Sequence, residues 1–331
     1  MKNIFIIICL IGFYFQINGQ KKFKVVSSAS MFYDMAQNIS GDLMDHELIV
    51  PIGGDPHTYE PRPSDAKLIA EADLILINGL EFEGWMLKLI ENSGTKAIVD
   101  TITLGIKPIS HSEYDNAYDP HAWMDVNLGL QYIENIKDAF IKLDPKNKDA
   151  YIRNHNTYHQ KLVELDKYIK DRIQEIPEEN RVIITTHDAF AYYGKRYGLK
   201  LEALMGISTE SDATSQDMIR VSKAIKNFNV PALFVESTIN PKIVQQIASD
   251  NNVAIGGELF TDSMGGPGSK GNTYYNMMKH NTDTVVDALK GDKFAETKFQ
   301  SEAKGTSPMV YVAFGITLLL LFIPIILKLN K

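Results

Sequence analysis

A chain of 331 residues, 44% hydrophobic and 23% charged, is long enough for two domains of ordinary size and apolar enough to bury a core in each. Its formal net charge of −7 excludes the basic footprint of a nucleic-acid-binding protein, and no nucleic-acid partner is expected. With one cysteine, Cys9, it holds no disulfide framework.

The chain opens with Lys2, an apolar run from Ile4 to Phe15 and a short polar stretch ending Ile17, Asn18, Gly19. This reads as a secretory signal over residues 1–19, cleaved between Gly19 and Gln20. Cys9 does not read as a lipid-attachment site, because Ile8 stands where a small residue is needed and the apolar run continues past it.

From Phe23 to Ser27 the pattern predicts a strand, and from Met31 to Ile39 a helix. His46 to Ile52 predicts a second strand, which Gly53 and Gly54 allow to leave by a tight turn while Pro56, Pro61 and Pro63 stiffen the segment beyond it. Ser64 is the expected cap of the next helix, whose apolar positions start at Leu68. Strands are then expected at Leu74–Asn78 and Lys96–Asp100, a loop over Thr101–Tyr118, and a helix from Val126 to Leu143.

Pro145 opens the longest helical stretch, to about Ile176, with Tyr151, Tyr158, Leu162, Leu165 and Ile169 on one face. At 1.5 Å per residue it would be about 45 Å long, more than one small domain needs, and is read as a strut. A second alternation comes next: strands at Arg181–Thr186, Leu199–Leu204, Ala232–Glu236 and Val253–Leu259, with helices at Ala189–Tyr197, Ser215–Asn227, from Pro241 onward, and Thr273–Leu289. Strands alternating with helices predict an α/β protein with parallel sheets covered on both faces.

The expected organisation is an α/β domain over 20–144, a linker helix over 145–177, a second α/β domain over 178–290 and a polar tether over 291–308. Met309 to Leu327 then has no charge, is apolar all round and approaches the roughly 20 residues a membrane-spanning helix needs. Lys328 and Lys331 come directly after it, so residues 328–331 are expected in the cytoplasm and the globular part outside. A flexible tether of this length has a reach of roughly 20–25 Å.

Four residues stand at equivalent places in this pattern. His57 lies beyond the second strand, His121 in the turn DPHAW, His187 directly after RVIITT, and Asp262 after VAIGGEL. In open parallel sheets ligands bind beyond the carboxyl ends of the strands, so two residues from each half converge on the cleft between them. Three imidazoles and one carboxylate make a complete shell for a borderline divalent cation. The other histidines read as structural: His155 and His159 share an i, i+4 spacing but fall on the polar face of the strut, His46 begins a strand, His111 is in a polar loop, and His280 is inside the last helix.

GGDPHTYEPRPSD, DPHAWMD, TTHDAFAYYGKRYG, GISTESDAT, FVESTINPK and GGELFTDSMG with GNTYYNMMKHN after it together resemble the cluster A-I solute-binding proteins of zinc and manganese ABC transporters, the TroA-like and ZnuA-like family. The likeness spans about Lys22 to Leu289. It implies two domains joined by a long helix, with metal buried between them on His57, His121, His187 and Asp262, the four residues found by position. It also implies that the chain is not an enzyme, that it acts as a monomer, that its cargo is Mn2+ or Zn2+, and that its partners are an ABC permease and its ATPase. Some manganese binders of the family have glutamate at the third position, where this chain has His187. Zinc-specific members often carry a histidine-rich loop near the second ligand, where this chain has only His111. The overall motif match favours manganese.

Small, local closure is expected, carried by loops such as Gly265–Gly271, with metal affinity falling below about pH 6.5 as imidazoles protonate. The alternatives are a metal-dependent surface adhesin and a zinc-dependent hydrolase. Against the hydrolase, there is no HExxH motif, and Glu236, the one carboxylate that could act as a base, reads rather as a support behind a ligand or as part of domain packing.

Overall fold

The computed structural model describes residues 22–110 and 118–291. The expected signal over residues 1–19, all but the first residue of the expected tether over 291–308, the expected membrane span over 309–327 and the loop residue His111 lie outside the described residues.

In the first half, strands β1 (Phe23–Ser27), β2 (Met44–Leu48), β3 (Leu74–Ile77) and β4 (Ile98–Thr101) form a parallel sheet in the order β2-β1-β3-β4. All four residues of β3 are buried, as a central parallel strand covered on both faces requires. The helices are α1 (Ser30–Ser40), α2 (Pro63–Ala70), α3 (Gly84–Ser93) and α4 (Val126–Leu143). Val26, Ile75, Ile49, Val50, Ile69 and Met86 pack together as the core on one side of this sheet.

In the second half, β5 (Val182–Thr185) pairs in parallel with β6 (Lys200–Ala203), and β7 (Ala232–Glu236) with β8 (Ala254–Leu259). Their helices are α6 (Ala191–Tyr197), α7 (Ser215–Phe228), α8 (Lys242–Asp250) and α9 (Tyr274–Leu289). Val182, Ile184, Leu233 and Val235 share a core with Val221, Ile225, Val244 and Ile247 of α7 and α8.

Helix α5 (Lys148–Ile173) has 26 residues, about 39 Å of axis, and is preceded by a single 3-10 turn at Pro145–Asn147. The five apolar positions read from the sequence are all buried. The helix packs on α1 and α4 of the first half and on α6 and α9 of the second. Asp34 joins the three elements at one point: its Oδ2 accepts from the Tyr274 N–H at the start of α9 (3.1 Å) and from the Tyr158 hydroxyl of α5 (3.3 Å).

Several sequence expectations change. The second strand ends at Leu48 rather than Ile52, although Ile49 and Val50 remain buried and still donate to Ser27 and Ser28. Ser64 does not cap α2. Pro63 opens that helix, where its missing N–H costs nothing, and Asp65 folds back to accept from the Arg62 N–H at 2.7 Å. Helix α3 is an addition to the expected elements, and its start at Gly84 carries no capping side chain to signal it. His155 is 6% exposed, not solvated, because α4 packs over it.

The loop Gly265–Gly271 is closed on itself and packed on Phe260. Gly265 N–H donates to Gly271 O, and a Cβ at either glycine would lie 2.9 or 2.5 Å from the Phe260 ring. In this conformation these glycines make room for the Phe260 ring.

Gly129 of α4 shows the same constraint between the halves. A methyl group there would sit 2.8 Å from the Tyr274 hydroxyl, which already donates to Trp123 O. On an unhindered helix Gly→Ala stabilises by about 1 kcal/mol, whereas overpacking costs about 1–3 kcal/mol. Gly129→Ala is therefore expected to lower the thermal unfolding midpoint, and a raised midpoint in calorimetry would show that Tyr274 can yield.

Candidate metal centre

Two of the four candidate residues are presented by the same short device. His57 and His121 each end an Asp-Pro-His tripeptide, and in each the aspartate Oδ1 accepts from the histidine N–H at 2.9 Å, Asp55 in one and Asp119 in the other. Proline stiffens the backbone and the aspartate closes a local turn, so the imidazole leaves a fixed base. Before His57, the turn Pro51–Gly54 is closed by Gly54 N–H donating to Pro51 O, with Gly53 at φ +85°. After His121, the 3-10 turn Ala122–Met124 leads into α4.

The other two lie past strand ends in the second half. His187 comes two residues after β5 and Asp262 three after β8. Glu236, the last residue of β7, accepts through Oε1 from the Thr186 and His187 N–H groups at 2.8 and 2.9 Å.

These elements bring all four side chains together. His121 Nε2 lies 3.3 Å from His57 Nε2 and 3.4 Å from His187 Nε2. Asp262 places Oδ1 3.3 Å from His121 Nε2, and Oδ2 3.1 Å from His187 Nε2 and 3.9 Å from His57 Nε2. One ligand atom from each residue falls within 4.8 Å of all the others. A tetrahedral ion with bonds of about 2.0–2.1 Å has ligand-to-ligand edges of about 3.3–3.4 Å; the two nitrogen–nitrogen distances from His121 match these, and the distances to the Asp262 oxygens run from 3.1 to 3.9 Å.

Carboxylates stand behind two of the imidazoles. His121 Nδ1 lies 2.7 Å from Asp119 Oδ1, and His187 Nδ1 lies 2.6 Å from Glu236 Oε2. With Nδ1 as the proton-bearing atom, each Nε2 turns its lone pair to the centre, the usual arrangement of a metal-binding histidine. Glu236 is thus occupied behind His187 and is not a free base. Sequence reasoning names Glu236 but misses Asp119, for which the repeated Asp-Pro-His is an available signal.

His121, His187 and Asp262 are wholly excluded from solvent, and His57 is 7% exposed. Both oxygens of Asp262 are buried without a hydrogen-bond partner of good geometry. Phe82 and Trp123 wall the site, with ring centroids 5.0 Å from His57 and 5.2 Å from His121 respectively. Such a dry surround leaves the carboxylate to be neutralised by protons or by a cation.

The titration behaviour is set by this packing. Burial pushes the His57 imidazole down to about 3, despite the Asp262 carboxylate nearby. Burial alone would also depress His121, but Asp119 and Asp262 outweigh it and raise the group to about 9. Against the same burial, Glu236 and Asp262 hold His187 well above the ordinary histidine range. Burial would raise Asp262, yet His187 and His121 keep it far below the usual carboxylate range.

Around the site the two halves are stitched by hydrogen bonds. Ser263 Oγ accepts from Gly53 N–H at 2.7 Å, Ser30 Oγ accepts from Met264 N–H at 2.9 Å, and Trp123 Nε1 donates to Thr261 O at 3.1 Å. Tyr192 donates to Asp119 O at 2.8 Å, and Thr209 donates to the second oxygen of Asp55. A cavity of about 900 Å³, lined in part by Tyr59, Trp85, Tyr118 and Glu210, reaches the centre at His57.

Of the remaining histidines, His46 Nε2 lies 2.6 Å from Ser40 Oγ and His280 Nε2 lies 3.1 Å from Glu258 O, both structural contacts. Among the described residues no helix is long and apolar enough to cross a membrane.

The family described as ZnuA, zinc-uptake complex component A, periplasmic, matches residues 25–288. The manganese-binding lipoprotein MntA of Halalkalibacterium halodurans is 38% identical over 267 residues, 80% of this chain and 88% of that protein. The manganese ABC transporter substrate-binding lipoprotein PsaA of Streptococcus mitis is 38% identical over 280 residues, 82% of this chain and 90% of that protein. Among solved structures, the periplasmic zinc-binding protein TroA of Treponema pallidum superposes with a TM-score of 0.78 at 34% identity, covering 81% of this chain and 99% of that one. The manganese-bound periplasmic metal-binding protein of Candidatus Liberibacter asiaticus gives a TM-score of 0.75 at 32% identity, covering 81% and 100%.

In cation-free protein, histidine NMR should show His121 titrating near pH 9 and His57 neutral throughout the physiological range. Asp119→Asn, which keeps an acceptor but removes the charge, is expected to bring the His121 transition down. An unmoved transition would mean that Asp119 does not hold that proton.

Proposed function

Because the chain belongs to the family of ZnuA, the periplasmic component A of zinc-uptake complexes, we propose that His57, His121, His187 and Asp262 together hold one manganese or zinc ion as cargo for a membrane permease. The chain is the metal substrate-binding component of an ABC transporter and not an enzyme. The observation that carries the ligand assignment is the convergence of four buried donor residues, whose ligand atoms all lie within 4.8 Å of one another.

The cargo reading draws on two features of the donor set. Three imidazoles suit zinc, whereas Asp262, with both oxygens otherwise unpartnered, can add a fifth donor and suit manganese. Relatives named for manganese support the second choice. Zinc outcompetes manganese at most sites of this kind, so transport of manganese would depend on availability as much as on affinity.

We read residues 20–144 and 178–290 as two α/β domains linked by the helix over 145–177, the ion being captured between them. Its entrance is the cavity beside His57, the one ligand with any exposure. As tethered over 291–308 and anchored over 309–327, the receptor would work at the outer face of the membrane, at high local concentration near its permease and ATPase. A signal over residues 1–19 would take it there.

His57→Ala removes a donor that touches the ion itself. It should weaken manganese and zinc binding by about two orders of magnitude or more, beyond the roughly 10–100-fold loss typical of a supporting group. Unchanged affinity in titration calorimetry would refute the assignment.

Proton linkage gives an independent check. His121 and His187 hold their protons above neutrality when no cation is present, and a cation can bind only the unprotonated nitrogen. Loading at about pH 7.5 should therefore release protons, and affinity should rise with pH toward about 9 rather than level off above about 6.5. Binding enthalpies that do not change with the ionisation enthalpy of the buffer would contradict this.

A further inference from the structure

The two Asp-Pro-His turns share a tripeptide but are braced differently. In the second, Asp119 Oδ1 serves both the His121 N–H at 2.9 Å and the ring Nδ1 at 2.7 Å. In the first, Asp55 Oδ1 accepts from the His57 N–H at 2.9 Å, and Oδ2 reaches across to the second half, where it accepts from the Thr209 hydroxyl at 2.5 Å. Among the described residues no carboxylate backs the His57 ring as Asp119 and Glu236 back those of His121 and His187. The placing of His57 rests instead on how its turn is held.

That turn is tied to both ligand loops of the second half. Gly53 N–H donates to Ser263, the neighbour of Asp262. Thr209 lies in the loop after β6, which is fastened to the turn carrying His187: Met205 N–H donates to Thr186 O at 2.8 Å, and Asp188 N–H to Gly206 O at 3.1 Å. The two ties differ in access. Ser263 is buried, whereas Thr209 and Asp55 are both half-buried, and Ile207, Ser208 and Glu210 beside Thr209 line the cavity that reaches His57.

We propose that Thr209 is a positioning residue: its bond to Asp55 latches the His57 turn to the second half and sets how slowly a held ion leaves. This rests on His57 being a ligand. Breaking the latch frees the turn beside the cavity, so that His57 swings out of the shell while His121 and His187 stay braced from behind. The ion then has one donor fewer and an open path. Release requires the bond to break, whereas capture by an open cleft does not, so its loss speeds dissociation and leaves association nearly unchanged. Removing a group that supports a metal ligand from outside the shell typically costs about 10–100-fold, and a half-buried bond belongs at the lower end.

The test loads the full chain with one equivalent of manganese chloride, or of zinc chloride, and follows release into excess EDTA by stopped flow. Thr209→Val, which keeps the side-chain shape but removes the donor, should release the ion about tenfold faster. Thr209→Ser, which keeps the hydroxyl, should restore the slow rate. X-ray absorption of loaded Thr209→Val should still show three imidazoles, and circular dichroism checks the fold; if the valine variant does not fold, Thr209→Ala carries the same comparison. An unchanged release rate, equal acceleration by Thr209→Ser, or a resting shell that has lost an imidazole would each overturn the latch. His57→Ala separates this reading from the one beneath it. Release that is faster in His57→Ala but unchanged in Thr209→Val refutes the latch alone, whereas release unchanged in His57→Ala refutes the ligand assignment and the latch with it.

Discussion

Asp262 is a carboxylate sealed from water, with no hydrogen-bond donor of good geometry and three imidazole nitrogens within 3.9 Å. A buried charge of this kind is strongly unfavourable unless another charge compensates it. Much of the molecule serves to keep that compensation available. Asp119 and Glu236 fix the rings of His121 and His187 from behind, and Phe82 and Trp123 exclude water from the front. Without a cation, protons on His121 and His187 carry the balancing charge. With one, the metal replaces them.

Such a site needs four loops from two separate groups of strands to agree within a few tenths of an ångström. The scaffold achieves this through parallel strand ends, which all point toward one edge, and through α5, which packs on helices of both halves. Asp34 joins α1, α5 and α9 at one buried point, and Ser30, Ser263 and Gly53 tie loops that flank the ligands. The glycines add to this rigidity. Gly129, Gly265 and Gly271 each make room for an aromatic side chain at a distance no other residue allows.

The strands and the four converging residues were legible because parallel strands advertise themselves as apolar runs and because ligands collect at their carboxyl ends. His57, His121, His187 and Asp262 could be placed without contacts, since they sit beyond strands or in stiff turns marked by runs such as RVIITT, VAIGGEL and DPHAW. What sequence could not reveal was packing. His155 reads as polar and solvated from its helix face, and only α4 lying across it makes it buried. The role of Asp119 depends on a ring turning back toward it, although the repeated Asp-Pro-His hinted at it. Ser64 carried a capping signal that Pro63 and Asp65 overrode one residue earlier. The glycines of the loop Gly265–Gly271 looked permissive because the residue that fills their space, Phe260, is a packing partner rather than a spacing.

X-ray absorption spectroscopy of the chain loaded with one equivalent of zinc or manganese tests the central claim most directly, since it reads the donors themselves. The account predicts a shell of three imidazole nitrogens and one or two carboxylate oxygens at about 2.0–2.2 Å, with the outer-shell scattering of histidine rings. A shell dominated by water oxygens, or one with fewer than three imidazoles, would contradict it.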